Sequence, residues 1–179
     1  MEEELLEIFR IANQTFLERE VGNIQNGVAE RNLCGRLAIY LSNNVENSNY
    51  SEYYVDPEYN RNYDGRIKTI LDEEFNEIVI NCDIIIHSRG ENIAQDNLIA
   101  FEMKKSNRPN EEKDADRKRL RALTKESYND VWSADGETLP EHVCGYIWGV
   151  YIEINCTTKE ELIEYYQRGE LVDSETLKY

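Results

Sequence analysis

Apolar residues return at helical spacing in the first part of the chain. A first helix is predicted over residues 2–20, where the positions that recur near every 3.6 residues are Leu5, Ile8, Ala12 and Phe16. Glycines at 22 and 27 predict a break, and a second helix is predicted over residues 28–43. Residues 42–51 are rich in Asn and Ser and are expected to form a loop.

Short apolar runs predict strands further along. Residues 78–87 (IVINCDIIIH) and 97–104 (NLIAFEMK) are apolar almost throughout, which is typical of strands covered on both faces. Further strands are predicted over residues 52–60 and 142–154, and residues 66–71 are expected to form either a further strand or a connection.

Two more helices are predicted in the second half. One covers residues 112–125, and residues 127–141 after it are expected to form irregular structure. The last is expected to begin at Thr157 or Thr158, because Glu160 or Glu161 three residues later completes a capping box.

This order of elements indicates an α/β fold, with a mixed central β-sheet flanked by helices on both sides. The length and the lack of a linker predict a single domain over residues 1–179, in which the helix at residues 2–20 is an addition to the core.

Charge narrows the choice of partners. The net charge of −16 argues against broad binding to nucleic acids. Residues 104–121, however, carry eight basic and four acidic residues, a net charge of +4 that leaves −20 for the rest of the chain. One locally basic face on an acidic molecule is therefore expected.

Hydropathy and the cysteine and histidine content argue against a membrane protein, a secreted protein and a zinc-binding protein. No apolar run is long enough to span a bilayer, and the acidic start MEEELLEIF is unlike a signal peptide, so a cytoplasmic protein without a membrane partner is expected. The four cysteines form no C-x-x-C pair and there are only two histidines, so a Cys/His zinc site is not expected.

Three ionisable residues interrupt the most apolar strands. Side chains alternate along a strand, so Glu102 and Lys104 share one side, and the short loop before them makes the segment that contains Asp83 an adjacent partner. Two neighbouring carboxylates repel each other, and a divalent cation relieves that repulsion. Hard oxygen ligands suit Mg²⁺, and Lys104 beside it would orient an attacking water.

The segments VINCDIIIH and NLIAFEMKKS resemble the motif of the PD-(D/E)xK nuclease superfamily, in which an Asp at one strand precedes Glu-x-Lys on the next. The resemblance covers roughly residues 27–154, with Cys82 where the family name has Pro. It implies a restriction-endonuclease-like core of one helix, three meandering strands, a helix and a further strand. It also implies Asp83, Glu102 and the carbonyl of Met103 as metal ligands, with Lys104 as the group that activates water.

Glu30 lies on the apolar face of the second helix, because Leu33, Cys34, Leu37 and Leu41 follow at helical spacing. Its position resembles that of a helical Glu that reaches the metal site in many members of the superfamily. The alternative is that Glu30 lies at the start of the helix, where its negative charge interacts favourably with the helix dipole.

A third cluster, Asp56-Pro57-Glu58-Tyr59-Asn60-Arg61, resembles a segment at the first core strand of some family members. There Glu58 would bind the metal through water and Arg61 a phosphate. The alternative is a polar turn that closes a strand.

Basic residues that follow the Glu-x-Lys strand are candidates for phosphate contacts: Lys105, Arg117, Lys118 and Arg121. The alternative is a solvated helix face with ion pairs at i,i+4 spacing.

The function expected from these residues is a Mg²⁺-dependent nuclease, with Mn²⁺ as a substitute metal. Its expected partners are nucleic acid, with DNA favoured, and a second copy of the chain in a homodimer. The rival interpretations are a nuclease-like fold that binds without cleaving, and an acidic interaction protein, which the charge of −16 favours.

Overall fold

The computed structural model describes residues 2–61, 65, 67–71, 77–79, 81–126 and 143–179. The predicted irregular segment 127–141 lies outside the described residues, as does the first residue of each of the predicted segments 66–71 and 142–154.

Two helices open the chain, as predicted. Helix α1 covers Glu2–Gln25 and helix α2 covers Glu30–Glu46. The prediction that α1 ends before Gly22 is wrong, because a single glycine costs a helix only about 1 kcal/mol. The turn that follows α1 lies at Gly27, which has a φ of 70° that favours glycine.

A mixed six-stranded sheet forms the centre of the fold, in the order β1-β4-β5-β6-β7-β8. Strands β5 and β6 are parallel and are joined across the sheet by helix α3, while all other neighbours are antiparallel. The elements are β1 (Tyr54–Pro57), β4 (Ile84–His87), β5 (Asn97–Lys105), α3 (Asn110–Leu123), β6 (Trp148–Asn155), β7 (Glu160–Gln167) and β8 (Glu170–Lys178).

The predicted single strand over residues 78–87 is wrong. Two strands occupy this region, β3 (Glu77–Val79) and β4, and β3 pairs with β2 (Thr69–Leu71) in a separate two-stranded sheet. Asp83 lies in a bend directly before β4 rather than inside a strand. A carboxylate at a strand end can turn toward a neighbouring backbone edge, which a side chain within a paired strand cannot do.

Helices cover both faces of the sheet, as predicted. Helices α1 and α2 pack on one face against residues that include Ile84, Ile86, Phe101 and Met103. Helix α3 packs on the other face, where Ile85, Ala100, Tyr151 and Tyr166 alternate with the first set. Burial on both faces explains the near-continuous apolar runs of β4 and β5. Among the residues that the structure describes, none of the helices is long and apolar enough to cross a membrane.

The predicted last helix is wrong, because its place is taken by the hairpin β7–β8. The side chains of β7 alternate between half-buried and buried over most of its length, which is the period of a strand. The amide groups of Thr157 and Thr158 both donate to the side chain of Asn155, so the threonines begin a turn rather than a helix. Arg168 and Gly169, both with positive φ, close the hairpin.

Gly149 lets α3 approach β6 closely. A Cβ atom there would lie 3.1 Å from Thr124 Cγ2 and 3.2 Å from the Cβ atoms of Leu120 and Tyr166. We expect Gly149→Ala to lower the free energy of unfolding by about 1–3 kcal/mol, the usual cost of overpacking, measured by urea unfolding. Gly35→Ala is the control: of the residues that the structure describes, none comes within 4 Å of its added Cβ, so this helical site should gain about 0.5–1 kcal/mol. A Gly149→Ala protein as stable as the wild type would contradict the close approach.

Candidate active site

Strand β5 extends past Ile84, where β4 begins, and among the described residues this part of its backbone edge has no strand partner. The last pair in register between the two strands is Ile84 with Phe101. Beyond it, the carboxylate of Asp83 accepts a hydrogen bond from the backbone N–H of Met103, at 2.8 Å. The carboxylate of Glu30, from α2, accepts one from the N–H of Lys105, at 3.0 Å.

The same edge presents the carbonyl of Met103. In a β-strand the N–H and C=O of one residue point to the same neighbour, so this carbonyl faces the side of Asp83. Two carboxylates and a carbonyl thus meet where β4 begins. These are the sequence-predicted residues Asp83, Glu30 and Met103.

The side chains of Glu102 and Lys104 point toward α3, as strand alternation predicts. Glu102 is 1% exposed, and its Oε1 lies 2.5 Å from Nη1 of Arg119. The same Nη1 lies 3.1 Å from Oδ1 of Asp116, and the Lys104 Nζ lies 2.7 Å from Oδ2 of Asp116. Glu102, Arg119, Asp116 and Lys104 therefore form one chain of alternating charges, which we call the α3 charge chain.

Arg119 and Asp116 are absent from the set of site residues that the sequence predicted. Asp116 is spaced by four and seven residues from Leu120 and Leu123, so it lies on the buried face of α3. A carboxylate on an apolar helix face is the signal that singled out Glu30, and the same signal would have found Asp116. The position of Arg119 at the rim of that face carries no comparable signal.

Burial controls the electrostatics of the two predicted metal-binding carboxylates. Burial raises the pKa of Glu102, which the guanidinium of Arg119 opposes and the nearby charges of Asp83 and Asp116 reinforce. Burial also raises the pKa of Asp83, while the N–H of Met103 and the charge of Lys104 lower it. The charge of Asp83 thus disfavours the ionised form of Glu102, and a cation between the two carboxylates would remove that penalty.

Lys104 remains charged in these surroundings. Burial lowers the pKa of its ammonium group, but the hydrogen bond to Asp116 and the charges of Asp116, Asp83 and Glu102 raise it further, so the net shift is upward. The charges of three carboxylates act on this ammonium group, which is therefore placed to stabilise negative charge that develops among them.

Glu58 and Arg61 lie at the end of β1. The backbone N–H of Glu58 donates to the carbonyl of Asp83 at 3.1 Å, so the two backbones are neighbours. Its carboxylate, however, binds Arg31 at 2.5 Å. Arg61 is exposed and forms an isolated bridge with Ile67.

The predicted phosphate-binding residues divide into two groups. Arg117 donates to Glu164 at 2.8 Å and lies over the ring of Tyr151, and Arg121 pairs with Glu170 at 3.1 Å. These two arginines thus bind the β7–β8 hairpin. Lys118 is exposed, and the Lys105 Nζ donates to the carbonyl of Gly27 at 2.9 Å.

His87 belongs to a separate cluster on β4. Its Nε2 lies 3.0 Å from the carboxylate of Asp56, which Arg89 also binds through two nitrogens at 2.8 and 2.6 Å. Burial and the charge of Lys68 lower the pKa of His87 to about 4 against the opposing effect of Asp56. Neutral His87 therefore donates from Nε2 to Asp56.

The oxygen donors at the start of β4 are of the kind that suits a hard divalent cation. Carboxylate oxygens of Asp83 and Glu102 with the Met103 carbonyl are the ligand types that Mg²⁺ takes, and it completes its shell with water and substrate oxygens. Within the described ranges, no group of three or more His, Cys, Asp or Glu side chains is arranged to hold a metal ion. The candidate site has only two such side chains, those of Asp83 and Glu102, because its third oxygen donor is the backbone carbonyl of Met103.

Comparison of the chain with protein-family models, with curated proteins and with solved structures finds no match.

Proposed function

We propose that this protein is a metal-dependent nuclease that hydrolyses phosphodiester bonds, with DNA as the favoured substrate. One observation carries the proposal: the edge of β5 beyond Phe101 gathers Asp83, Glu30 and the Met103 carbonyl beside the buried Glu102 and the half-buried Lys104. Ionisable groups are rarely concentrated among fully buried strands without a function.

The order and pairing of the elements support a restriction-endonuclease-like core. Helix α2 is followed by β1, β4 and β5, an antiparallel meander, and then by α3 and the parallel strand β6. This is the helix, three strands, helix and strand that the PD-(D/E)xK resemblance implies. On this interpretation α1, the β2–β3 hairpin and the β7–β8 hairpin are additions to the core.

Each residue has a distinct role in the proposed reaction. Asp83, Glu102 and the Met103 carbonyl would hold Mg²⁺, which when bound polarises the phosphate and lowers the pKa of a coordinated water. Lys104 orients the attacking water and offsets negative charge on the phosphorus centre. Glu30 secures the edge of β5 through the Lys105 N–H, and so positions the Met103 carbonyl.

Plasmid nicking tests this function directly. Supercoiled DNA incubated with the protein should be cut in millimolar Mg²⁺ or Mn²⁺ and should stay intact in EDTA. Asp83→Asn is the matched control, because it keeps the shape of the side chain and removes a charge that binds metal. No cutting with either metal on double-stranded DNA, single-stranded DNA and RNA would refute the proposal.

A second candidate is a nuclease-like fold that binds without cleaving. The observation that favours it is the ion pair between Glu102 and Arg119, since a carboxylate already neutralised within the fold needs no metal. This candidate expects binding of nucleic acid in gel shifts, unaffected by EDTA, with no cleavage.

A divalent cation should raise the melting temperature. A ligand that binds only the folded state at 100 times its Kd stabilises it by about 2.7 kcal/mol, and repulsion between Asp83 and Glu102 in the metal-free protein adds a reason to bind. We expect millimolar Mn²⁺ to shift the thermal unfolding midpoint upward in the wild type, but not in Asp83→Asn. A midpoint indifferent to Mn²⁺ would count against the metal site.

A further inference from the structure

Glu102 has a counter-ion within the protein. Its side chain is 2% exposed between the sheet and α3, and an isolated carboxylate there would be costly to ionise. Arg119 supplies the positive charge at 2.5 Å. A divalent cation that uses Glu102 as a ligand must therefore meet an arginine that already binds the same carboxylate.

The α3 charge chain allows Arg119 to leave without stranding another charge. Asp116, the second partner of Arg119, is also bound by Lys104 at 2.7 Å. The side chain of Arg119 is 26% exposed and begins on the outer rim of α3, so its long side chain can turn into solvent while the helix stays in place. Only Glu102 loses its counter-ion, and the entering metal replaces it.

We propose that Arg119 acts as a built-in competitor of the metal, so that it sets the concentration of divalent cation at which the site fills. This inference rests on the proposed metal site. The physical reason is direct: Arg119 must give up its contact with Glu102, and its positive charge repels the incoming cation until it moves away. Arg119 is thus a positioning and regulatory residue rather than a catalytic one.

Removing the competitor should strengthen metal binding. The full chain is titrated with Mn²⁺ and the free ion is followed by its electron paramagnetic resonance signal, which requires no catalytic activity. We expect Arg119→Gln to bind Mn²⁺ roughly tenfold more tightly than the wild type, as removal of a nearby like charge predicts. If the wild type and a folded Arg119→Gln bind Mn²⁺ equally, or the variant binds more weakly, the competition is refuted while the metal site stands.

Arg36→Gln is the matched control. Arg36 also binds a buried carboxylate, that of Glu20, at 2.7 Å, but it does so between α1 and α2. Its loss should disturb stability in the same way and leave the affinity for Mn²⁺ unchanged. If Arg36→Gln tightens Mn²⁺ binding as much as Arg119→Gln does, the effect is a general change of charge and the inference is overturned.

Two further outcomes separate this inference from the proposed function. If neither the wild type nor Arg119→Gln binds Mn²⁺ in the millimolar range, the metal site itself is refuted, and with it the proposed function. If Arg119→Gln does not fold, Arg119→Lys replaces it, because lysine keeps the charge but has a shorter reach to Glu102. Arg119→Lys should tighten Mn²⁺ binding a few-fold, and an unchanged affinity would overturn the competition.

Discussion

Lys104→Ala is expected to lower the rate of DNA cleavage roughly 10²–10³-fold, the usual loss when one contact to developing charge is removed. Its ammonium group lies among Asp116, Asp83 and Glu102 and remains protonated. Because it is not a metal ligand, its removal should leave Mn²⁺ affinity unchanged or increased. Cleavage is measured in single turnover on plasmid DNA, with the melting temperature of the same preparation.

A purely structural role for Lys104 makes a different prediction. Lys104 would then serve only to neutralise Asp116, which is 4% exposed. Loss of Lys104 would then lower the melting temperature. The decrease would be limited, because Arg119 still lies 3.1 Å from Asp116 and neutralises part of its charge. A destabilised variant that cleaves normally per folded molecule would eliminate the catalytic role. Lys178→Ala is the control, since its side chain is exposed at the far edge of the sheet and should change neither quantity.

Glu161→Gln should stabilise the protein at pH 8 by about 3 kcal/mol, with almost no effect at pH 4. Glu161 is fully buried against α1, where its Oε2 accepts a hydrogen bond from Asn13 Nδ2 at 2.6 Å. Burial raises the pKa of Glu161 from 4.5 to about 7, despite the opposing bond from Asn13. Each unit of such a shift corresponds to about 1.4 kcal/mol, which sets the expected size.

The sign follows from proton binding. The folded state holds the proton on Glu161 more tightly than the unfolded state, so this contribution to stability is complete below pH 4.5 and is lost as pH rises to about 7. Glu161 Oε1 and Asn13 Oδ1 are both buried, and neither has a hydrogen-bond partner within the described part of the chain. A protonated Oε1, or the amide nitrogen of glutamine, would donate to Asn13 Oδ1 and complete the pair.

Urea unfolding of both proteins at several pH values measures the difference, and effects of other groups cancel in it. Glu160→Gln is the matched control, because its side chain is partly exposed beside Lys178 and its variant should show no such pH-dependent gain. A constant difference between wild type and Glu161→Gln from pH 4 to pH 8 would show that folding does not shift the pKa of Glu161.

Local pattern was enough for much of the fold. The helices α1, α2 and α3 follow from apolar spacing, because the period of 3.6 is set by the backbone itself. Strand β5 follows from a continuous apolar run, which is typical of a strand covered on both faces. Alternation along β5 likewise placed Glu102 and Lys104 on one side. The mixed sheet with helices on both faces followed from the order of these elements.

The β7–β8 hairpin could not be predicted from the local sequence pattern. The segment EELIEYYQ carries a capping signal for a helix, and its apolar residues also suit a strand. The free edge of β6 decided the outcome, since pairing with it satisfies the backbone of β7 and buries Ile163 and Tyr165 against α1. Local propensity is weak compared with such tertiary pairing.

By itself the sequence determined which residues carry the candidate chemistry: Asp83, Glu102 and Lys104 stand out because charges interrupt buried strands. Only the tertiary structure decided their partners. Asp83 turns to the edge of β5 because β4 begins only at Ile84, and Glu102 meets Arg119 because α3 crosses above β5. Spacing along one strand is a local property of the backbone, whereas the partner of a buried charge depends on which element packs over it.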